Sequence, residues 1–431
     1  MAVQDNRFHR TLLMCAMYFA QGVPWGFMAT ALIAHLTEKG ITDTQAASLT
    51  AIILIPWTFK LVWAPLIDTM TIRSMGRRRP WIIGAELMMA LSLLGILALG
   101  DLQNNLEMLG WMFFVHNCFA SLQDVSTDAL AVDMLPASEQ GRVNGLMWGS
   151  KLVGKAIGAA GMAWLLSVSG LQAAVWAQMI CLLVIMLFPI LILERPGEKR
   201  LPWSRGQAMG VESDAGLRPL SDVVHDLYRA FRMRTTSLFF VFGTLAVVGW
   251  GILEIVTKQL YTAPENSLGW KALEYSTATG WAVFPEMLGA LAGGIMADRF
   301  GRRLTMTIGF GSYGCFIILF AALPQLWTQH WFANWFLILN PGFLAIGAVG
   351  FLSMGMRLSW TKAAASMFTI YMTVSNVGHV IGNKLMPVLS HDMKLSQQHV
   401  LLSAGLLTLA PLAILIWIRP ADVDMQQSAN G

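Results

Sequence analysis

Eight polar residues fall at matching helical intervals in two neighbouring apolar stretches. Asn117, Ser121, Asp124 and Asp128 stand at offsets 0, 4, 7 and 11, which puts all four on one face of a helix. Asn144, Trp148, Lys151 and Lys155 repeat those offsets, so the next helix carries a polar stripe of opposite charge. With a rise of about 1.5 Å per residue from inner ends at 134 and 143, Asp124 and Asp128 lie roughly 15 and 9 Å deep. Lys151 and Lys155 lie about 12 and 18 Å deep on the same count. An ionisable group in a membrane costs about 2.5–3.5 kcal/mol and needs a partner or a water-filled cavity. The chemistry on offer is therefore a buried charge network. One carboxylate, Asp124 or Asp128, is the candidate proton carrier, because burial and a nearby Lys pull its proton affinity in opposite directions. A salt bridge that only fastens two helices is the alternative.

Other charges stand alone in apolar surroundings. Lys60 lies about two turns from Asp68 and is a candidate substrate contact. Glu254 and Lys258 are one turn apart and can satisfy each other, while Glu254 shares a face with Trp250. Asn376, His379, Asn383 and Lys384 form a weaker polar patch, in which His379 is a minor candidate. Trp25 and Trp250 occupy equivalent places in two repeats and would face a shared cavity; with Asn117 they complete the substrate-binding candidates. Two loops carry a different signal. Gly294-Ile-Met-Ala-Asp298-Arg299-Phe-Gly301-Arg302-Arg303 lies tightly between two apolar spans. A looser copy has Ala64 in place of the leading Gly, then Asp68, and after seven residues Gly76, Arg77, Arg78 and Arg79.

The elements that position these groups follow from composition. Hydrophobic residues make up 55% and charged residues 13% of 431 positions, against about 25% charged in a soluble domain. Apolar runs of about 20 residues, enough to cross the hydrocarbon core, are read at 11–34, 46–66, 80–99, 106–134, 143–167, 171–193, 237–260, 273–297, 304–324, 331–356, 361–386 and 400–418. With the N-terminus inside, the cytoplasmic segments hold 21 of the 29 Lys and Arg, including Arg73 and Lys362, and the outer loops hold three. Both termini are thus expected in the cytoplasm, and the net charge of +4 reflects topology, not a nucleic-acid patch. Six spans in 1–193 and six in 237–420 flank a linker at 194–236, whose end, with Val223, Leu227, Ala230 and Phe231, reads as a surface amphipathic helix. Residues 421–431 form a cytoplasmic tail.

The halves repeat each other. Val23-Pro24-Trp25-Gly26 is echoed by Val248-Gly249-Trp250-Gly251, 225 residues on, and Val153 to Gly158 by Val377 to Gly382, 224 residues on. Pro56 matches Pro285 at an offset of 229. Parallel halves of this kind rock about a site near the midplane.

The D-R-x-G-R-R loops and the six-plus-six layout resemble the major facilitator superfamily. That resemblance implies an all-α integral membrane protein with twelve transmembrane helices in two bundles. It also implies that Asp68, Arg77 and Arg78, and Gly294, Asp298, Arg299, Gly301, Arg302 and Arg303, form gate motifs that latch the cytoplasmic side. Within the superfamily, Tyr18 to Pro24, Phe59 to Asp68, and Gln123-Asp124 through Asp128 to Asp133-Met-Leu-Pro136 are similar to one branch. It holds muropeptide permeases of the AmpG type, acetyl-CoA transporters, and siderophore importers of the RhtX and FptX type. The muropeptide permeases are typically longer, so the short chain favours the siderophore importers.

No nucleophile elbow, H-E-x-x-H box or Walker A sequence is present, so neither an enzyme nor an ATP-driven pump is expected. The four Cys have no paired spacing, and no metal or other cofactor is implied. The sequence reads as a monomeric secondary transporter of a Gram-negative inner membrane, importing a small-molecule siderophore with protons. A muropeptide permease is the alternative, followed by an exporter or a transporter-like sensor.

Overall fold

Long apolar runs, capped where polar residues interrupt them, set the helices of the computed structural model, which describes residues 2–70, 72, 74–206, 219–262, 267–359 and 363–419. Arg73, Lys362, the centre of the linker and the tail at 421–431 lie outside the described residues. Helix α1 spans Arg7–Glu38, opened by Asn6, whose side-chain oxygen accepts the Phe8 N–H at 2.8 Å as an N-cap does. Helix α2 joins Asp43–Thr58 to Lys60–Thr69 across a break at Phe59 (φ −90°, ψ 10°), three residues after Pro56. Then come α3, Arg79–Ala98, and α4, Leu106–Met134. A run of 52 residues, Gln140–Leu191, turns at Gly170 (φ 77°, ψ −179°), a backbone conformation that favours glycine; it divides into α5 (140–169) and α6 (171–191).

The linker contributes α7, Leu220–Phe231, with Val223 and Ala230 fully buried and Phe231 edge-on to Phe240 at 5.7 Å. Helices α8, Arg234–Thr262, α9, Glu274–Arg299, α10, Arg302–Ala322, α11, His330–Leu358, α12, Ala364–Pro387, and α13, Gln397–Trp417, complete the chain. Among the described residues no strand forms. Nine helical runs among them are long and apolar enough to cross a membrane, compared with the twelve spans expected. The difference has a physical source: Gln140–Leu191 counts as one run, and the polar stripes of α4 and α12 set those helices apart from the apolar ones.

Two compact units form. The first comprises Met1–Leu135, Met147–Asp226 and Thr361–Thr369; the second comprises Pro136–Leu146, Leu227–Trp360 and Ile370–Gly431. In the first unit α4 packs on α2 and α3, and α3 on α6. In the second, α11 packs on α9 and α10, and α10 on α13, so the same pairings recur one half-chain later. The core of the second unit is read directly from spacing. Val248, Ile252, Val256 and Leu260, four residues apart, form one buried stripe of α8 against Ile317 and Phe320 of α10 and Val400 and Ala404 of α13. Phe320 stacks on Phe336 with ring centres 3.8 Å apart.

The repeat seen in the sequence marks one particular crossing. Gly22 and Gly26 of α1 lie against the backbone of α5 at Lys151, Gly154, Lys155 and Gly158, so closely that an added Cβ would collide with the carbonyl oxygens of Lys151 and Lys155. In the second unit Gly251 of α8 meets the His379 carbonyl of α12, and Gly382 meets that of Val248. Small residues let helix backbones touch in lipid, where packing rather than water exclusion holds helices together.

Candidate functional site

The break at Phe59 restarts α2 at Lys60, which is only 5% exposed. Its ammonium pairs with the Asp124 carboxylate of α4, itself 1% exposed. Lys151 of α5 supplies a second cation, 3.9 Å from the other carboxylate oxygen. Its side chain keeps 25% of its exposure, against 6% for Lys60 and 1% for Asp124. Both ammonium groups lie over the Trp57 ring, Lys60 at 4.6 Å and Lys151 at 4.8 Å, and Lys151 also lies 5.5 Å from the Tyr18 ring. These are cation–π distances. The Tyr18 hydroxyl donates to Asp128 at 2.6 Å. Two cations, two carboxylates and two aromatic rings thus share one buried patch of the first unit.

Tryptophans fix the rim. Trp57 donates from Nε1 to the Asn117 side-chain oxygen at 3.0 Å, and Trp63 to the Ser121 hydroxyl at 3.0 Å. Trp25 meets Trp57 edge-on at 5.6 Å. The stripe Asn117, Ser121, Asp124 and Asp128 is therefore contacted along its length by α1 and α2. The structure brings Lys60, Trp25 and Asn117 to the Asp124 site together with Lys151. It does not bring Lys155, which is exposed and pairs with neither carboxylate among the described residues.

In the second unit Glu254 does not rely on Lys258. Its Oε2 lies 2.8 Å from Nε2 of His379, and the Trp250 ring lies tilted against His379 with ring centres 4.0 Å apart. Asn383 lies within electrostatic reach of Glu254. Asn376 and Lys384 are exposed on the same helix, outside this cluster. Trp250, Glu254 and His379 form a half-exposed patch.

The two loop motifs take different partners. Asp68, buried in the first unit, accepts from Nη2 of Arg78 at 2.9 Å, from the Ser366 N–H at 2.9 Å and from its hydroxyl at 2.8 Å; Arg77 lies 3.6 Å away. Despite Ala64 and the longer spacing, this copy still receives the start of α12. Arg78 also donates to Asp133 at 2.8 Å. In the second unit Asp298 accepts from the N–H groups of Gly141 and Arg142 at 2.7 and 2.8 Å, holding the first turn of α5, where a helix N-terminus favours an anion. Gly294 lies against Gly141, and Gly301 (φ 94°) makes the turn before α10. Arg302 donates to the Ser353 hydroxyl at 2.9 Å and to the Ala137 carbonyl, whereas Arg299 and Arg303 are exposed.

Sequence reasoning missed three participants. Trp57 carried no charge to draw notice, although its place one turn before Lys60 was a usable signal. Glu86, fully buried on α3, accepts from Gln123 at 3.1 Å. Glu194, just past α6, accepts the N–H groups of Arg77, Arg78 and Arg79 at 2.8, 2.6 and 2.5 Å and so caps α3 from 115 residues away. Beside it, burial and the neighbouring Glu194 charge push Glu198 up to about 7, even though its carboxylate meets Arg79 at 3.3 Å.

The sequence profile of the Major Facilitator Superfamily matches residues 12–383. An anhydromuropeptide permease of Escherichia coli K12 is 25% identical over 393 residues, covering 86% of this chain and 72% of the relative. An uncharacterised protein of Haemophilus influenzae is 29% identical over 144 residues, 33% of each chain. Among solved structures, the fucose:proton symporter FucP in its outward conformation is similar at a TM-score of 0.70 with 14% identity, covering 95% of this chain and 98% of that one. A bacterial homologue of the iron transporter ferroportin is similar at 0.67 with 12% identity, covering 98% and 100%.

Proposed function

Because the chain belongs to the Major Facilitator Superfamily and is therefore a multi-pass membrane transporter and not an enzyme, we propose that it imports an anionic wall-derived muropeptide together with protons. One observation carries the choice of substrate. Lys60 and Lys151 flank a single carboxylate, Asp124, and of the three Lys151 alone keeps a quarter of its side-chain exposure. An ammonium that is half used by its carboxylate and framed by Trp57 and Tyr18 is suited to a substrate carboxylate next to an apolar or ring-bearing group. Muropeptides offer peptide carboxylates and sugar rings. A relative that aligns with 86% of this chain is an anhydromuropeptide permease, and the residues of the site give no specific support for a siderophore. The order of substrates expected from the sequence is reversed accordingly.

Twelve crossings, with both termini in the cytoplasm of an inner membrane, complete this reading. Gln140–Leu191, with 52 residues, is about 78 Å of helix at 1.5 Å per residue, enough for two crossings of a core about 30 Å thick. Leu106–Met134 and Ala364–Pro387 have 29 and 24 residues and cross with their polar stripes turned away from lipid. Asp128, held by Tyr18, is the carboxylate assigned to the transported proton, and Asp124 is assigned to the lysines. Asp68 and Asp298 act as latches that release α12 and α5 during transport. Trp250, Glu254 and His379 supply the second unit's contact with substrate.

Purified protein in proteoliposomes with an inward proton gradient tests this directly. Labelled anhydromuropeptide should accumulate, the accumulation should collapse with a protonophore, and Lys151→Met should reduce it to background. Accumulation of a ferric siderophore in place of muropeptide would restore the other substrate.

A further inference from the structure

We propose that Glu86 of α3 is a second proton-binding site, coupled by a chain of two side-chain amides to the Lys60–Asp124 pair. Glu86 is the sole ionisable residue between Arg79 and Asp101 and is fully buried. Its Oε1 accepts one hydrogen bond, from Gln123 at 3.1 Å. Its Oε2 has no partner among the described residues, and no Lys, Arg or His there pairs with it. A carboxylate desolvated in this way, without a cation, is far costlier than the carboxylic acid. The acid form also supplies a donor that the orphaned oxygen lacks.

The amide chain has a fixed direction. Gln123 donates from Nε2 to the Met17 carbonyl at 3.1 Å as well as to Glu86. A backbone carbonyl can only accept, so the Gln123 amide cannot be flipped. Its oxygen therefore accepts from Nε2 of Gln21 at 2.7 Å, and the Gln21 amide in turn lies within electrostatic reach of the Asp124 carboxylate. Glu86, Gln123 and Gln21 are thus a hydrogen-bonded line through α3, α4 and α1 that ends beside Asp124. A change of charge at Asp124 polarises every bond along it.

The surroundings are polar in a specific way. On α6, which packs against α3, Gln178 is fully buried with both amide atoms unpartnered among the described residues. Cys181, one turn further on, lies within electrostatic reach of Glu86. On α4, His116 shares its Nδ1 between the Met89 carbonyl at 3.1 Å and the Ser92 hydroxyl at 2.9 Å, and Asp124 and Asp128 follow. On α1, the Tyr18 hydroxyl is committed to Asp128. None of these gives Glu86 a permanent counter-charge, and Asp124 reaches it through neutral amides alone.

The site is tested by infrared spectroscopy of reconstituted protein across a pH series, reading the carbonyl stretch of protonated carboxylic acids. This needs no substrate, so its outcome is separate from that of the transport reading, on which only the site's role in coupling rests. A protonated-acid band at neutral pH that Glu86→Gln removes and Glu86→Asp displaces is expected; an unchanged band in folded Glu86→Gln overturns the site. For the coupling, Asp124→Asn should move the midpoint of that band by about one pH unit or more, the shift expected of a charge change at a linked group. Lys60→Met serves if Asp124→Asn does not fold. Adding Gln123→Leu should abolish the response, and a response that survives Gln123→Leu overturns the amide link.

Discussion

Removing either partner of the Lys60–Asp124 pair should harm the protein unequally, and the inequality can be worked out from the third member. Lys151 lies 3.9 Å from Asp124, where two unit charges at an effective dielectric of 20 attract by about 4 kcal/mol before desolvation. If Lys60 becomes Met, Asp124 keeps that cation and the net loss should be about 1–2 kcal/mol, part of it the cation–π contact with Trp57. If Asp124 becomes Asn, Lys60 is left charged at 5% exposure with no other carboxylate paired to it among the described residues, so the loss should approach about 3–5 kcal/mol. The double variant Lys60→Met with Asp124→Leu removes both charges and should return to within about 1 kcal/mol of the parent. Unfolding in a mixed detergent series gives the three stabilities, and proteoliposome uptake of anhydromuropeptide gives the activity of the same preparations. The double variant is expected to be stable and inactive. If it regains uptake along with stability, the pair only fastens α2 to α4, and the transport role assigned to it is wrong. Equal losses for the two single variants would refute the part played by Lys151.

Three further outcomes follow from geometry already described. Glu194→Ala strands three N–H groups at the start of α3 and should cost about 3–5 kcal/mol, and Glu194→Gln, which keeps one acceptor, about half as much; equal thermal shifts for both would contradict the cap. Glu198, moved from 4.5 to about 7, holds its proton in the native state where the unfolded chain has released it, so stability should fall as pH rises from about 4.5 to about 7 and level off above. Glu198→Gln should flatten that slope in thermal unfolding at a series of pH values, and parallel slopes would count against it. Gly158→Ala drives a Cβ into the Val23 carbonyl and should cost more than about 3 kcal/mol, whereas Gly84→Ala, with open space around it, should gain about 0.5–1 kcal/mol; similar yields and melting temperatures would undo the close crossing.

Period and composition carried the fold far. The helices were legible because apolar length and its interruption by polar residues are local properties. The site was legible only in part. Helical offsets put Asp124 and Asp128 on one face and Lys151 on the facing helix, but they could not tell Lys60 from Lys155 as the next partner. That choice depends on the break at Phe59, where α2 restarts at Lys60. Glu254 shows the same limit, since its neighbour in sequence is Lys258 and its partner in space is His379. Glu86 left no trace at all, because a single acid in an apolar helix has no spacing to read. Glu194 was likewise invisible, because its partners are backbone N–H groups, which every residue but proline has.

The turn at Gly170 bears on how the chain is made. From Ala156 to Leu193 the sequence has no Asp, Glu, Lys or Arg, so nothing between α5 and α6 marks a segment to be delivered across the bilayer by itself. A ribosome emitting this stretch presents the insertion machinery with one long greasy strip whose reversal is dictated by a single left-handed glycine. On the twelve-crossing reading proposed above, the two helices would enter together as a hairpin, with the positive charges at Arg142 and at Arg195 to Arg200 flanking its two ends.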